Sequence, residues 1–231
     1  MNRILEVCIV ALTFATNITP VSHAQSPALQ RGISVQMAAS SSAAPMPDAD
    51  NHDAWIVTVT AEGDVDFGVD PVAPFALADE MKNRPRNREQ KLYIKADARV
   101  PFADVEKVLA AGRTVFFETA VLLTAQPETP QSGMEPPRGL EVLISPALPA
   151  GKVTTVVQLL NSGRQSPSLR INGDQIPWPA LQSTLRQHFE KGDDRTILLK
   201  ADGQLSFANV VHAIDVCHAA GAKVVLATAG L

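Results

Sequence analysis

Lys95-Ala96-Asp97 and Lys200-Ala201-Asp202 repeat the same three residues 105 positions apart. A lysine and an aspartate this close could form an acid/base pair if both faced a substrate. Placed at the end of a strand, the same residues read differently. They then share one face, with Lys95 solvated on the side opposite Ile94. The aspartate opens the turn into a helix, where its carboxylate can accept from backbone N–H groups of the turn. We read both pairs as architecture. His212, Asp215 and His218 form a second polar series at i, i+3 and i+6 of one expected helix. They are expected to fan too widely around it to converge on one metal. No Gly-x-Ser-x-Gly, Walker, Gly-x-Gly-x-x-Gly or Cys-x-x-Cys motif occurs, so the usual nucleophile, phosphate and redox sites lack a basis. No enzyme activity, metal or cofactor is expected.

The elements that must position these residues also occur twice. Lys95, Ala96, Asp97, Phe102, Ala103 and Val105 are identical to Lys200, Ala201, Asp202, Phe207, Ala208 and Val210 at an offset of 105. Upstream, Val65, Phe67, Val72 and Leu77 match Leu169, Ile171, Ile176 and Leu181 at an offset of 104. A period near 100 marks a duplicated domain, not a solenoid. In the first copy, 55–60 and 64–69 read as a β-hairpin, 74–82 as a helix and 91–96 as a strand. A second helix follows over 101–112, with Phe102, Val105, Val108 and Leu109 as its apolar stripe, and 119–124 closes the unit as a strand. The second copy repeats this order over 154–160, 168–171, 179–189, 196–201, 206–221 and 222–228, with Ser206 at the N-cap position of its last helix. The expected fold is α+β: two tandem β-β-α-β-α-β units, each a small mixed sheet with two helices on one face.

Around these units, 1–24 reads as a signal peptide: Arg3, then the apolar run Val7–Ala15, then Ser22-His23-Ala24 before a cut at Gln25. The run is short for a spanning helix, and an uncleaved N-terminal anchor is the alternative. Residues 25–53 are expected to be a flexible lead-in without a core of their own, 54–125 the first domain, 126–138 a Pro-rich spacer and 139–231 the second domain. Cleavage removes Cys8 and leaves Cys217 as the only thiol, expected as a buried hydrophobe. The chain of 231 residues carries a net charge of −4, so nucleic acid is not an expected partner. Trp178, between two prolines, is expected to staple the start of a helix onto the core. The basic stretch 82–91, with five cationic residues in ten, reads as a solvated loop.

"LYIKADARVPFADVEKVL" (92–109), "KVVLAT" (223–228) and the Ser/Ala/Pro stretch 33–48 resemble the periplasmic domain of the ExbD/TolR biopolymer transport family. "LEVLISPALPAG" (140–151) is the counterpart of that stretch in the second copy. The family-motif residues are Lys95, Asp97, Phe102, Lys200, Asp202 and Phe207, read as structural. The resemblance implies a place beside a proton channel of the inner membrane, where the proton gradient is turned into force on the outer membrane. It also implies partners among the proton-channel or energy-transducer subunits, or self-pairing, through strand addition or domain pairing. The active residue of such proteins is an Asp within one N-terminal transmembrane helix. Here Ile4–Ile18 holds no Asp, and Glu6 is its only acid. The expectation is therefore a non-catalytic, exported tandem component located in the periplasm. An inner-membrane subunit that keeps its anchor, and a peptidoglycan-binding module, are the alternatives.

Overall fold

The computed structural model describes residues 33–85, 89–125, 136–145, 155–163, 166–190 and 195–228. The expected signal peptide lies outside these residues. In the first copy, β1 (Ala44–Pro45) is followed by a 3₁₀ turn (Pro47–Asp50), β2 (Trp55–Val59), β3 (Val65–Phe67) and β4 (Asp70–Val72). Then come α1 (Leu77–Asn83), β5 (Leu92–Ala96), α2 (Phe102–Thr114) and β6 (Thr119–Thr124). The second copy comprises β7 (Arg138–Ser145), β8 (Thr155–Leu160), β9 (Ser168–Ile171) and β10 (Asp174–Ile176). It continues with α3 (Leu181–Glu190), β11 (Thr196–Ala201), α4 (Phe207–Ala219) and β12 (Lys223–Ala227).

The α+β class and the tandem mixed units are present. Their sheets join. Among the described residues, twelve strands form one sheet in the order β10-β9-β8-β11-β12-β7-β6-β5-β2-β3-β4, with β1 beside β7. Within each unit the long strands are parallel and the outer hairpin strands antiparallel. The seam is β7, antiparallel to β6 and parallel to β12.

Alternation along the strands explains the layering. Val57, Ile94, Leu122, Val142, Val157, Leu199 and Leu226 point to one face and pack with Leu77, Met81, Phe102, Leu109, Leu185, Phe207 and Ile214 of the four helices in one continuous core. On the opposite face, Tyr93, Val121 and Leu123 are covered by Met46 and Ala49 from the N-terminal stretch. That stretch corrects the flexible lead-in. Ala38, Ser40, Ala43 and Ala49 are buried. The Ala125 N–H donates to the Ala38 carbonyl at 2.9 Å, and the Met46 N–H donates to the Pro137 carbonyl at 2.6 Å. Small side chains let this strap lie close against the sheet ends, which a solvated tail would not do.

Besides β1 in the strap, three further strands were not expected. In β7, Leu140, Val142 and Ile144 are buried and alternate with the less buried Glu141, Leu143 and Ser145, and the strand opens at Arg138, inside the expected spacer. The rest of that spacer up to 135 lies outside the described residues. β4 and β10 are three-residue returns, the second made by Asn172 (φ 50°) and Gly173 (φ 96°), a backbone that Asn-Gly adopts readily in a two-residue hairpin.

The seam leaves no room for a side chain at Gly139. A Cβ there would lie 2.5 Å from Val121 Cγ1 and 2.9 Å from the Leu122 carbonyl oxygen. Because the second atom is backbone, Gly139→Val should destabilise the chain by about 1–3 kcal/mol. Urea unfolding followed by circular dichroism would measure it, and a midpoint equal to wild type would show that the seam yields.

Candidate functional site

The two Lys-Ala-Asp corners end β5 and β11 and lead into α2 and α4. In the first corner, the Asp97 carboxylate accepts from the Arg99 N–H at 3.0 Å, Arg99 Nε at 2.8 Å, Arg99 Nη2 at 3.0 Å and the Gln36 N–H at 3.0 Å. The Arg99 side-chain bonds, helped by the backbone donors and opposed by burial, hold this carboxyl well below the usual range. Lys95 is not solvated, contrary to expectation. It is 5% exposed, and its ammonium donates to the Ile33 carbonyl at 3.0 Å. Burial beneath the strap lowers its pKa. The lysine does lie on the face opposite Ile94, but that face is covered.

The second corner keeps the backbone and loses the cover. The Asp202 N–H donates to Leu159 as the Asp97 N–H donates to Val59, both at 2.9 Å. Asp202 Oδ1 accepts from the Gln204 N–H at 2.9 Å, matching Asp97 and Arg99. Gln204 has no guanidinium to grip the carboxylate, and Lys200 is exposed.

The corners face one another. The Phe102 N–H donates to the Leu205 carbonyl and the Phe207 N–H to the Val100 carbonyl, both at 2.8 Å. The Ala103 N–H donates to Gly203 and the Ala208 N–H to Ala98, both at 2.9 Å. Each pair is related by the 105-residue offset. The first amides of a helix lack intrahelical acceptors, and here the opposite copy supplies them. Ser206 stands at the N-cap of α4, but its hydroxyl makes no capping bond to the backbone. It accepts from Asn209 Nδ2 at 3.0 Å instead. Phe102 and Phe207 are fully buried behind this junction.

Asp215 makes a further contact between copies that sequence reasoning missed. Its carboxylate accepts from Ser40 Oγ at 2.6 Å, Ser41 Oγ at 2.9 Å, the Ser41 N–H at 3.1 Å, the Ser42 N–H at 2.8 Å and Ser42 Oγ at 2.5 Å. Burial opposes its ionisation, but the Ser40 and Ser42 hydroxyls and the Ser42 and Ser41 amides outweigh it and hold the carboxyl below its ordinary value. The available signal was the run Ser40-Ser41-Ser42, three small donors in a row. Angular spread does not separate His212, Asp215 and His218, because two i, i+3 steps span only about 120° of the helix. Their neighbours separate them. His212 is exposed with its ring 5.1 Å from Trp178, Asp215 is taken by the serines, and burial lowers the His218 pKa. Among the described residues no group of three His, Cys, Asp or Glu is placed to hold a metal. Cys217 is buried, and burial pushes its thiol up to about 12. Trp178 packs on the core as a partly buried side chain, and its Nε1 donates to Pro167 at 2.9 Å.

The family model described as biopolymer transport protein ExbD/TolR matches residues 18–127 and again 114–230. The chain belongs to the ExbD/TolR family. No curated protein and no solved structure matches it significantly. ExbD/TolR proteins are non-enzymatic, envelope-associated components of biopolymer transport that work with other subunits of a transport complex. In this ExbD/TolR chain the two family units lie side by side in one sheet. Among the described residues no helix is long and apolar enough to cross a membrane.

Asp97 holds the strap and Arg99, whereas Asp202 holds only its own turn, so Asp97→Ala should lower the melting temperature more than Asp202→Ala. Asp215→Ala should cost about 1–3 kcal/mol and speed amide exchange across 38–45. Both Asp97 and Asp215 have folded pKa values below the unfolded value of about 4. Their stabilisation is therefore full above that value and is lost as pH falls below it. Urea midpoints measured from pH 6 to pH 2 should fall more steeply for wild type than for Asp215→Ala. Parallel curves would remove the clasp from the stability of the fold.

Proposed function

We propose that the chain is a non-catalytic periplasmic component of a proton-gradient-driven envelope transport system, acting by binding partner proteins. The observation that carries this reading is the reciprocal junction of the two family units. Of the repeated residues that could have formed acid/base sites, Lys95 and Asp97 bind the strap, Asp97 and Asp202 bind their own turns, and Lys200 is exposed. Asp97 and Asp215 have their acceptor capacity taken up by donors of the chain itself. What remains for function is surface: exposed sheet edges and the outer faces of a fused pair.

The N-terminal segment supports an exported tandem component. Ile4–Ile18 carries no aspartate, so the chain brings no such carboxylate to a proton path and acts on a channel or transducer made by other subunits. Cleavage before Gln25 releases it to the periplasm.

Affinity capture of the mature chain from envelope extract, after brief crosslinking, should recover proton-channel or energy-transducer subunits. Recovery of neither would overturn the reading. Sequencing the N-terminus of the captured chain should give Gln25, and a start at Met1 in the membrane fraction would replace the exported form with an anchored one.

A further inference from the structure

The first corner is occupied by the chain itself, and the manner of occupation is specific. Residues 33–36 lie across it outside any helix or strand. Lys95 Nζ donates to the carbonyl of Ile33 at 3.0 Å. Three residues later, the Gln36 N–H donates to the Asp97 carboxylate at 3.0 Å, and the Gln36 carbonyl accepts from the Ala98 N–H at 2.7 Å. All three bonds go to main-chain atoms of the strap, so the corner reads backbone geometry and not side-chain identity.

The second corner has the same receiving atoms in the same frame. Lys200 lies opposite Gln158 on the neighbouring strand as Lys95 lies opposite Thr58. The turn bonds of Asp202 to Leu159, Gln204 and Leu205 repeat those of Asp97 to Val59, Arg99 and Val100. Yet Lys200 is exposed. Among the described residues, Asp202 Oδ2 has no donor and the Gly203 N–H, the counterpart of the Ala98 N–H, has no acceptor.

No described residue of the second copy takes the place that the strap takes in the first. β7 starts at Arg138 beside Thr124 and ends at Ser145 beside Ala227. Lys200 lies in register with that far end, since Leu199 pairs Leu226. Arg138, where β7 begins, therefore lies roughly 23 Å away along the strand.

We propose that the Lys200–Asp202–Gly203 corner is a docking site for an extended polypeptide segment of a partner protein. The partner presents a carbonyl to Lys200, and three residues on presents its N–H to Asp202 and its carbonyl to the Gly203 N–H. This deepens the partner-binding reading above and rests on it. The chemistry is charge-assisted main-chain recognition, in which the lysine and the carboxylate bracket a strand-like segment. Duplication supplies the reason for the difference between copies. One corner became the anchor of the strap and the other kept its groups for a segment from outside.

The probe is a fluorescein-labelled peptide of residues 31–38 (RGISVQMA), whose central part fills the first corner. Titrated with the full mature chain and read by anisotropy, it should bind saturably. Lys200→Ala should weaken binding about tenfold or more, as loss of a charge-assisted bond does, with an unchanged melting temperature because Lys200 is exposed. Asp202→Asn keeps Oδ1 for the Gln204 N–H and should weaken binding similarly. N-methylation at the glutamine nitrogen of the peptide should have the same effect. Absence of saturable binding overturns the proposal, as does binding unmoved by these changes or lost only in Lys95→Ala. Capture of transport subunits from envelope extract separates the two readings. Capture by wild type that persists undiminished in Lys200→Ala removes this corner as the partner site and leaves the transport role intact. Peptide binding without capture of any subunit by wild type keeps the corner and removes the transport role.

Discussion

Four amides at the starts of α2 and α4 impose the arrangement of everything else. A helix cannot satisfy its own first N–H groups, and in this chain neither helix start has a side-chain cap. Each takes its acceptors from the loop of the other copy. Leaving a buried donor unmade costs about 1–3 kcal/mol, so either unit alone would carry open amides beside the buried Phe102 or Phe207. Fusion in one chain makes the junction intramolecular and independent of protein concentration. The same loops carry the Lys-Ala-Asp residues, which is why the most visible repeat in the sequence lies at the contact between repeats.

A junction of this kind favours two-fold symmetry, but the seam does not allow it. Only one strand fits between β6 and β12, and it cannot run antiparallel to both. β7 takes the place. The stretch that would be its counterpart, ahead of β2, is displaced to the sheet ends and becomes the strap. Asp215 holds the strap from the helix layer. The position in α2 that matches Asp215 at the 105-residue offset is Ala110, which offers no acceptor. One aspartate in one copy therefore decides which stretch is tied down. The burial of Lys95 and the exposure of Lys200 are a consequence of that choice. The two lysines have the same strand, register and following turn, and differ only in what lies above them.

The duplicated unit, its strands, its four helices and its apolar stripes were legible because each is a local pattern. Phe102, Val105, Val108 and Leu109 mark a helix face whatever surrounds them. β7 carried the same kind of signal in Leu140, Val142 and Ile144 but adjoined a proline-rich stretch, and composition outweighed periodicity. The strap was misjudged for a related reason. Its serines and alanines suggest solvation, yet small residues are also what fits against a sheet end and around a carboxylate. The environments of Lys95 and Asp215 were not legible at all. Each depends on a partner far away in sequence, Ile33 for one and Ser40 to Ser42 for the other. No periodicity encodes a contact across 62 or 173 to 175 positions.

The asymmetry bears on how a fused pair can work. Two identical units offer two equivalent corners, and a partner segment would meet each with the same affinity. Occupying one from within removes that degeneracy, because a strap on the same chain competes at an effective concentration that a separate protein rarely reaches. The tied corner then holds the strap, which Asp215 fastens to the other unit. The other corner is left to exchange. That division has a mechanical consequence. A load on the strap passes through Asp97, Asp215 and the seam into the whole sheet. A segment bound at the second corner as proposed would hang on Lys200, Asp202 and the Gly203 N–H and would be the contact that yields first.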